Sequence, residues 1–244
     1  MSKTYGLLVT HNEADRYLQS VLEHNRPLFD DLLIFDDRST DTTRVMAAPF
    51  GTVVERPEDA VSFSEHEGRF RALAWHYLAH EFQPEYGDAI IAFDADEYLL
   101  GDPNDFDTAA ARVAVDECWD VKDGIPKVRY DRSWGRIDDV RAWRWQLGLN
   151  NEAENHLVRG KVGRNKRDAE FGQTASGSGP YMNTREWHRS LRILHVGYLD
   201  PEDRLVKQAR YRNDGRHGSA HIDSITARPR LRSLGHPIDI RRGS

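Results

Sequence analysis

The chain has a single cysteine, Cys118, among 244 residues, which excludes an internal disulfide and any cysteine-based metal site. It contains no apolar run of membrane-spanning length. The N-terminus passes from Met1-Ser2-Lys3 straight into the strand-like Tyr5-Gly6-Leu7-Leu8-Val9, without the regions of a signal peptide. Together these absences favour a cytoplasmic location. There are no internal repeats, no glycine-rich dinucleotide fingerprint and no Walker loop. The formal net charge is −6 and no nucleic-acid-binding motif is present, so nucleic acid is disfavoured as a partner.

Hydrophobic residues make up 39% and charged residues 30%, ordinary for one soluble α/β domain with or without a small appendage. The charge is unevenly placed. Residues 1–120 hold 9 Lys+Arg against 25 Asp+Glu, and residues 121–244 hold 25 against 15. An acidic half suits a metal and a basic half suits phosphates or an anionic acceptor. Mutual attraction across a packing surface explains the same asymmetry equally well.

The first hundred residues alternate strand and helix patterns. Tyr5–Thr10 reads as a strand, with Asn12 as the N-cap of a helix carrying Ala14, Leu18, Val21 and Leu22. Leu32-Leu33-Ile34-Phe35 is a second buried strand, followed by a short helix capped at Ser39-Thr40-Asp41 and ending near Pro49. Thr52-Val53-Val54 is a third. Phe70, Leu73, Ala74, Tyr77 and Leu78 then follow helical spacing, with Glu67 and Arg71 paired one turn apart. Ala89-Ile90-Ile91-Ala92-Phe93 is the fourth strand. Strands separated by helices imply right-handed crossovers and a mostly parallel sheet flanked by helices.

The second half is less regular. Residues 109–117 read as a short helix, Gly124–Tyr130 and Leu191–Val196 as strands, and Pro201 opens a helix running to about Tyr211. Trp143, Trp145 and Leu147 share one face of an alternating strand, which marks them as core. Residues 163–184 form a glycine-rich loop, a candidate lid over 172–180, and the basic tail from Arg228 is expected to be extended or partly disordered.

Three N-terminal strands end in polar signatures: Thr10-His11-Asn12-Glu13, Asp36-Asp37-Arg38-Ser39-Thr40-Asp41 and Asp94-Ala95-Asp96-Glu97. In a parallel sheet these ends lie side by side and face one crevice. Crowded carboxylates repel one another unless a cation or a hydrogen-bonding ligand offsets the charge. Two hard oxygen ligands at such an edge suit Mg²⁺ or Mn²⁺ carrying a diphosphate, whereas a lone D-x-D supports little more than an acidic loop.

The order T-H-N-E, D-D-R-S-T-D, then D-A-D-E resembles family-2 glycosyltransferases with the GT-A fold. That family usually has glycine where this chain has Arg38. The stretch Ile193-Leu194-His195-Val196-Gly197-Tyr198-Leu199, continuing through Glu202, Arg204 and Lys207 to Arg210-Tyr211, resembles the family's closing motif. The resemblance covers residues 4–100 and 192–211. It implies a GT-A, Rossmann-like sheet with an irregular C-terminal acceptor half. Residues 1–120 would then form the donor half, 121–227 the acceptor-binding and catalytic half, and 228–244 the tail.

Carried over, the resemblance implies that Thr10, Asn12 and Glu13 line the nucleotide site. Asp36 or Asp37 would accept from the base, most often uracil. Asp94 would touch the ribose or a metal-bound water, with Ala95 beside it, and Asp96 would ligate the metal together with His195. Arg69 or Arg71 would reach the diphosphate, although a solvated helix face is the rival reading. The implied reaction is inverting transfer of a sugar from a nucleotide-sugar, UDP-linked in most such enzymes, to a hydroxyl on a glycan, a lipid-linked sugar, a protein or a small molecule.

The general base falls in the unmatched middle, where Asp131, Glu152, Asp168 and Glu170 are candidates and Glu170, before the glycine-rich loop, is preferred. Trp134, between Ser133 and Gly135, is the best candidate for stacking on an acceptor. Two other readings stand. A nucleotidyltransferase would be expected to carry a glycine-rich basic loop after its first strand, which is missing. An inactive nucleotide- or carbohydrate-binding module would retain the donor site without turnover.

Overall fold

The computed structural model describes residues 2–131, 134, 137–145, 186–214 and 219–243. Glu152, Asp168, Glu170 and the glycine-rich segment 172–180 lie outside the described residues.

The first half builds as its pattern predicts. β1 (Thr4–Thr10), β2 (Asp31–Asp36), β3 (Thr52–Glu55) and β4 (Ala89–Asp94) pair in parallel in the order β3-β2-β1-β4. Their side chains divide by the two-residue period of a strand. Leu8, Leu32, Ile34, Ile91 and Phe93 face a core shared with α1 (Leu18–Asn25). Leu7, Leu33, Phe35, Ile90 and Ala92 face the opposite core, filled by Phe70, Ala74, Trp75 and Leu78 of α3 (Glu67–Phe82). Helices thus cover both faces, as parallel strands buried on two sides require. The predicted Glu67–Arg71 pair forms, with Nε to Oε1 at 2.9 Å.

The second half extends the same sheet with antiparallel strands. β8 (Ile137–Arg144) pairs with β4, and β6 (Ala110–Lys122) with β8. β7 (Ile125–Arg129) pairs with β6, and β10 (Leu231–Ser233) with β7. β5 (Glu97–Leu100) and β9 (Trp187–His195) form a branch, β9 running antiparallel to β5 and parallel to β6. The sheet is therefore mixed: the four parallel strands fill one side of it out to the β3 edge, with the crevice at their carboxyl ends. α2 (Thr43–Ala47), α4 (Pro201–Asp214) and α5 (Ser219–Ser224) complete the elements. Among the described residues no helix is long and apolar enough to cross a membrane.

Three local expectations change. Of residues 109–117, expected as a helix, all from Ala110 on are strand. Arg112, Val113 and Val115 pair with β8, and β9 pairs on the other edge, so long-range pairing overrides a weak helical pattern. Helix α1 begins at Leu18, because Asn12 takes a left-handed backbone (φ 53°) and its side-chain oxygen accepts from Thr40 N at 2.8 Å instead of capping. Trp134 is not an acceptor platform. It is 1% exposed, edge-on to Trp119 and Tyr198, and its indole N–H donates to Ser224 Oγ at 2.9 Å. The tail from Arg228 is extended, as expected, with a short strand at Leu231–Ser233; Ile238 is buried in the core, and the Arg241 carbonyl accepts from Ser20 Oγ at 2.7 Å.

Candidate donor-binding site

The loops after β1 and β2 are stitched together before any ligand is considered. Asn12 N donates to Ser39 Oγ at 2.9 Å, Glu13 N to Thr43 Oγ1 at 2.7 Å, and Ala14 N to Asp41 Oδ2 at 3.2 Å. Asp36 is fully buried in this framework and accepts from Ser39 N at 2.8 Å and Ser39 Oγ at 2.5 Å. Of the two neighbouring aspartates, then, Asp36 holds its own loop and Asp37 faces the crevice. Asp37 is braced by Arg56 Nε at 2.5 Å and Phe63 N at 2.9 Å, which leaves carboxylate lone pairs free for a further donor. Arg38 sits at φ 56°, the left-handed region glycine enters without penalty, which explains the glycine usual in the resembling pattern. Here the arginine stays and pairs with Glu55 at 3.3 Å.

A cavity of about 490 Å³ opens between these loops and the end of β4, lined by Thr10, Glu13, Asp37, Arg56, Asp94, Ala95, Asp96 and Arg210 among others. Thr10 Oγ1 and Glu13 Oε2 are buried without a hydrogen-bond partner. Burial drives the Glu13 carboxyl up to about 7; Arg16 opposes the shift and Asp96 adds to it. Unsatisfied buried oxygens at a cavity wall are where a ligand's donors belong.

Asp94 and Asp96 have different surroundings. The Asp94 carboxylate is engaged on both oxygens, by Arg71 at 3.1 Å and by Arg141 at 3.6 Å. Burial opposes its ionisation, but the two arginines outweigh it and hold the carboxyl below the usual range. Arg71 is itself buried, its fork shared between Glu67 and Asp94, so the structure turns it toward Asp94. Arg141 is also bound to Glu97 at 3.0 Å.

Asp96 is brought to His195 by strand register. Glu97 on β5 pairs with His195 on β9, and Val196 N donates to the Asp96 carbonyl at 2.8 Å. The Asp96 Oδ2 then lies 3.1 Å from His195 Nε2 and 3.7 Å from Lys207 Nζ. On the other side of the ring Glu117, which the sequence reading missed, meets Nδ1 at 2.5 Å. Burial disfavours the imidazolium, but Glu117 and Asp96 together hold the histidine well above its usual pKa. Burial likewise opposes the Asp96 carboxylate, and His195, Lys207 and Arg16 drive its pKa far down.

Gly197 makes this convergence possible. A Cβ there would lie 2.3 Å from both Asp96 Oδ2 and Lys207 Nζ, and 2.6 Å from His195 Nε2. Among the described residues no three His, Cys, Asp or Glu side chains form a metal cage. Asp96 and His195 do fit an ion of the Mg²⁺ or Mn²⁺ kind, which takes one or two protein ligands and completes its shell with phosphate and water; the ion would displace the Nε2 proton that His195 carries toward Asp96. His195 also has the carboxylate support on its second nitrogen that metal-bound histidines carry.

Among the other base candidates only Asp131 is described. Arg129 holds it in a two-pronged pair at 2.7 and 3.2 Å and lowers its pKa to about 2, which makes it a structural partner.

No family model matches the chain, and no curated protein matches it. Among solved structures it is similar to glucosyl-3-phosphoglycerate synthase from Mycobacterium tuberculosis. In complex with Mn²⁺ and UDP-glucose that protein gives a TM-score of 0.34 at 20% identity, over 48% of this chain and 44% of that one. Its complex with Mg²⁺ and UDP gives 0.33 at 20% identity over the same shares. A third structure of the same protein gives 0.35 at 20% identity, over 48% and 45%. The chain thus matches less than half the length of these structures.

Proposed function

We propose that the chain is a metal-dependent glycosyltransferase that moves a sugar from a nucleotide-sugar, UDP-linked, to an acceptor hydroxyl with inversion. The observation that carries this reading is that Asp37 and Asp96 line one cavity and that Asp96 is held against His195. A base acceptor and a metal-binding pair around one cavity suit a nucleoside diphosphate with its ion. Asp37, already fixed by Arg56 and Phe63 N, accepts from the base. Thr10 Oγ1, which has no hydrogen-bond partner, and Glu13 Oε2, held only by the 3.5 Å ion pair to Arg16, face the nucleotide between them. Asp94, locked by two arginines, contributes a fixed acceptor for the ribose.

Asp96 and His195 would hold Mn²⁺ or Mg²⁺, with Glu117 fixing the ring, and the ion would offset charge on the departing diphosphate. Arg210 lines the same cavity and adds positive charge beside it. Glu170 remains the proposed base that removes the acceptor proton. The acceptor is a hydroxyl of a glycan, a lipid-linked sugar or a protein.

The test is release of UDP from a panel of UDP-sugars, measured with and without Mn²⁺ for the native chain and Asp96→Asn. Metal-dependent release lost in Asp96→Asn is expected. No release by the native chain from any nucleotide-sugar would leave a binding module in place of the enzyme.

A further inference from the structure

The ammonium of Lys207 sits among the atoms proposed to hold the metal. It reaches back from α4 over the ring of Tyr198, 4.4 Å from its centre, to 3.5 Å from His195 Nε2 and 3.7 Å from Asp96 Oδ2. The lysine, aspartate and histidine side chains are only 14%, 18% and 16% exposed, so water screens this cluster poorly. Gly197 leaves room for nothing else over its Cα. Arg16, near Asp96 and paired with Glu13 at 3.5 Å, adds further positive charge.

We infer that Lys207 is a built-in counter-ion that occupies the metal's electrostatic place until a diphosphate arrives. The inference rests on Asp96 and His195 being the metal position. A divalent cation approaching those two atoms meets an ammonium 3.5 Å from one and 3.7 Å from the other, and like charges this close repel strongly. A diphosphate changes the balance, because it gives the ammonium an anionic partner of its own. Lys207 then becomes a phosphate ligand and the carboxylate is released to the ion. Metal and nucleotide binding are therefore positively coupled, each raising the other's affinity by the same factor. The consequence is a site that stays metal-poor until the donor is present.

The experiment is titration of Mn²⁺, free ion followed by electron paramagnetic resonance, alone and with saturating UDP. It compares the native chain with Lys207→Met, Lys207→Arg and Asp96→Asn, and thermal unfolding verifies that each is folded. Lys207→Gln replaces the methionine variant if that one does not fold. The native chain should bind Mn²⁺ weakly alone and about 5- to 150-fold more tightly with UDP, the usual span of such couplings. Lys207→Met should bind Mn²⁺ alone more tightly than native and lose most of the gain from UDP. Lys207→Arg should keep the native pattern, and Asp96→Asn should bind Mn²⁺ in neither condition. If Lys207→Met binds Mn²⁺ alone no better than a native chain that does respond to UDP, the counter-ion role is overturned and the donor site stands. If the native chain fails to bind Mn²⁺ even with UDP, the donor-site reading falls and the counter-ion role with it.

Discussion

Gly197→Ala isolates the convergence of Asp96, His195 and Lys207 from every other feature of the fold. The added methyl would lie 2.3 Å from Asp96 Oδ2 and Lys207 Nζ and 2.6 Å from His195 Nε2, distances no carbon tolerates. Lys207 can swing its flexible end aside. Asp96 and His195 are tied by Val196 N and Glu117, so they must shift together or separate. Overpacking of this kind costs about 1–3 kcal/mol. Loss of glycine's freedom in the unfolded chain returns about 0.4–1 kcal/mol. The net loss is at most about 2.5 kcal/mol, which for a chain of this size lowers Tm by up to about 10 °C. Binding should suffer far more, since a displacement of about 1 Å in a positioned group can cost about a hundredfold. Thermal unfolding and Mn²⁺-dependent UDP binding by calorimetry measure the two effects on one sample. A folded Gly197→Ala that binds Mn²⁺ and UDP like the native chain would refute the reasoning.

Three further changes probe separate parts of the site. Glu117→Gln removes the charge behind His195 and should weaken Mn²⁺–UDP binding by about 10- to 100-fold, as loss of an outer carboxylate partner does, with the fold retained; unchanged affinity in calorimetry would contradict the role of Glu117. Trp134→Ala should lower stability by about 3–5 kcal/mol in urea denaturation, because the ring is fully packed; native stability with lost transfer would restore the acceptor reading. Glu13 has a folded pKa of about 7 against an ordinary 4.5, so its contribution to stability is present in full below about pH 4.5 and is lost as pH rises through 7. Glu13→Gln should therefore gain on the native chain between pH 5 and 8, by about 1–3 kcal/mol, and a constant difference across that range would exclude the effect.

The parallel half was legible because its strands are apolar on both faces and its helices carry a clear 3.6-residue period. Three polar strand ends then follow from topology, and the resemblance added His195 across a gap of a hundred residues. What stayed hidden depends on register. Glu117 reads as one charge in a short helix, and only the β6–β9 pairing sets it opposite His195. Asp116 and Glu117 inside the apolar run Val113–Trp119 are the signal that such a strand carries a buried polar cluster. Asp36 and Asp37 are equivalent as letters, and only the folded loop, with Ser39 and Arg44 on Asp36, distinguishes the one that turns inward. Arg71 reads as a charge on a solvated face, but it shares its helix face with the buried Ala74, Trp75 and Leu78, and that face sets it on Asp94. Trp134 looked free because its partners, Trp119, Tyr198 and Ser224, come from distant parts of the chain.

The most direct test of the donor site is thermal stability with UDP, GDP, dTDP and CMP, each with and without Mn²⁺, for the native chain and Asp96→Asn. A ligand that binds only the folded state raises Tm by mass action, by about 2.7 kcal/mol at a hundred times its Kd. The account predicts a Mn²⁺-dependent rise with UDP that Asp96→Asn abolishes. A native chain whose Tm ignores all four nucleotides, or a rise with UDP that survives Asp96→Asn, would contradict it.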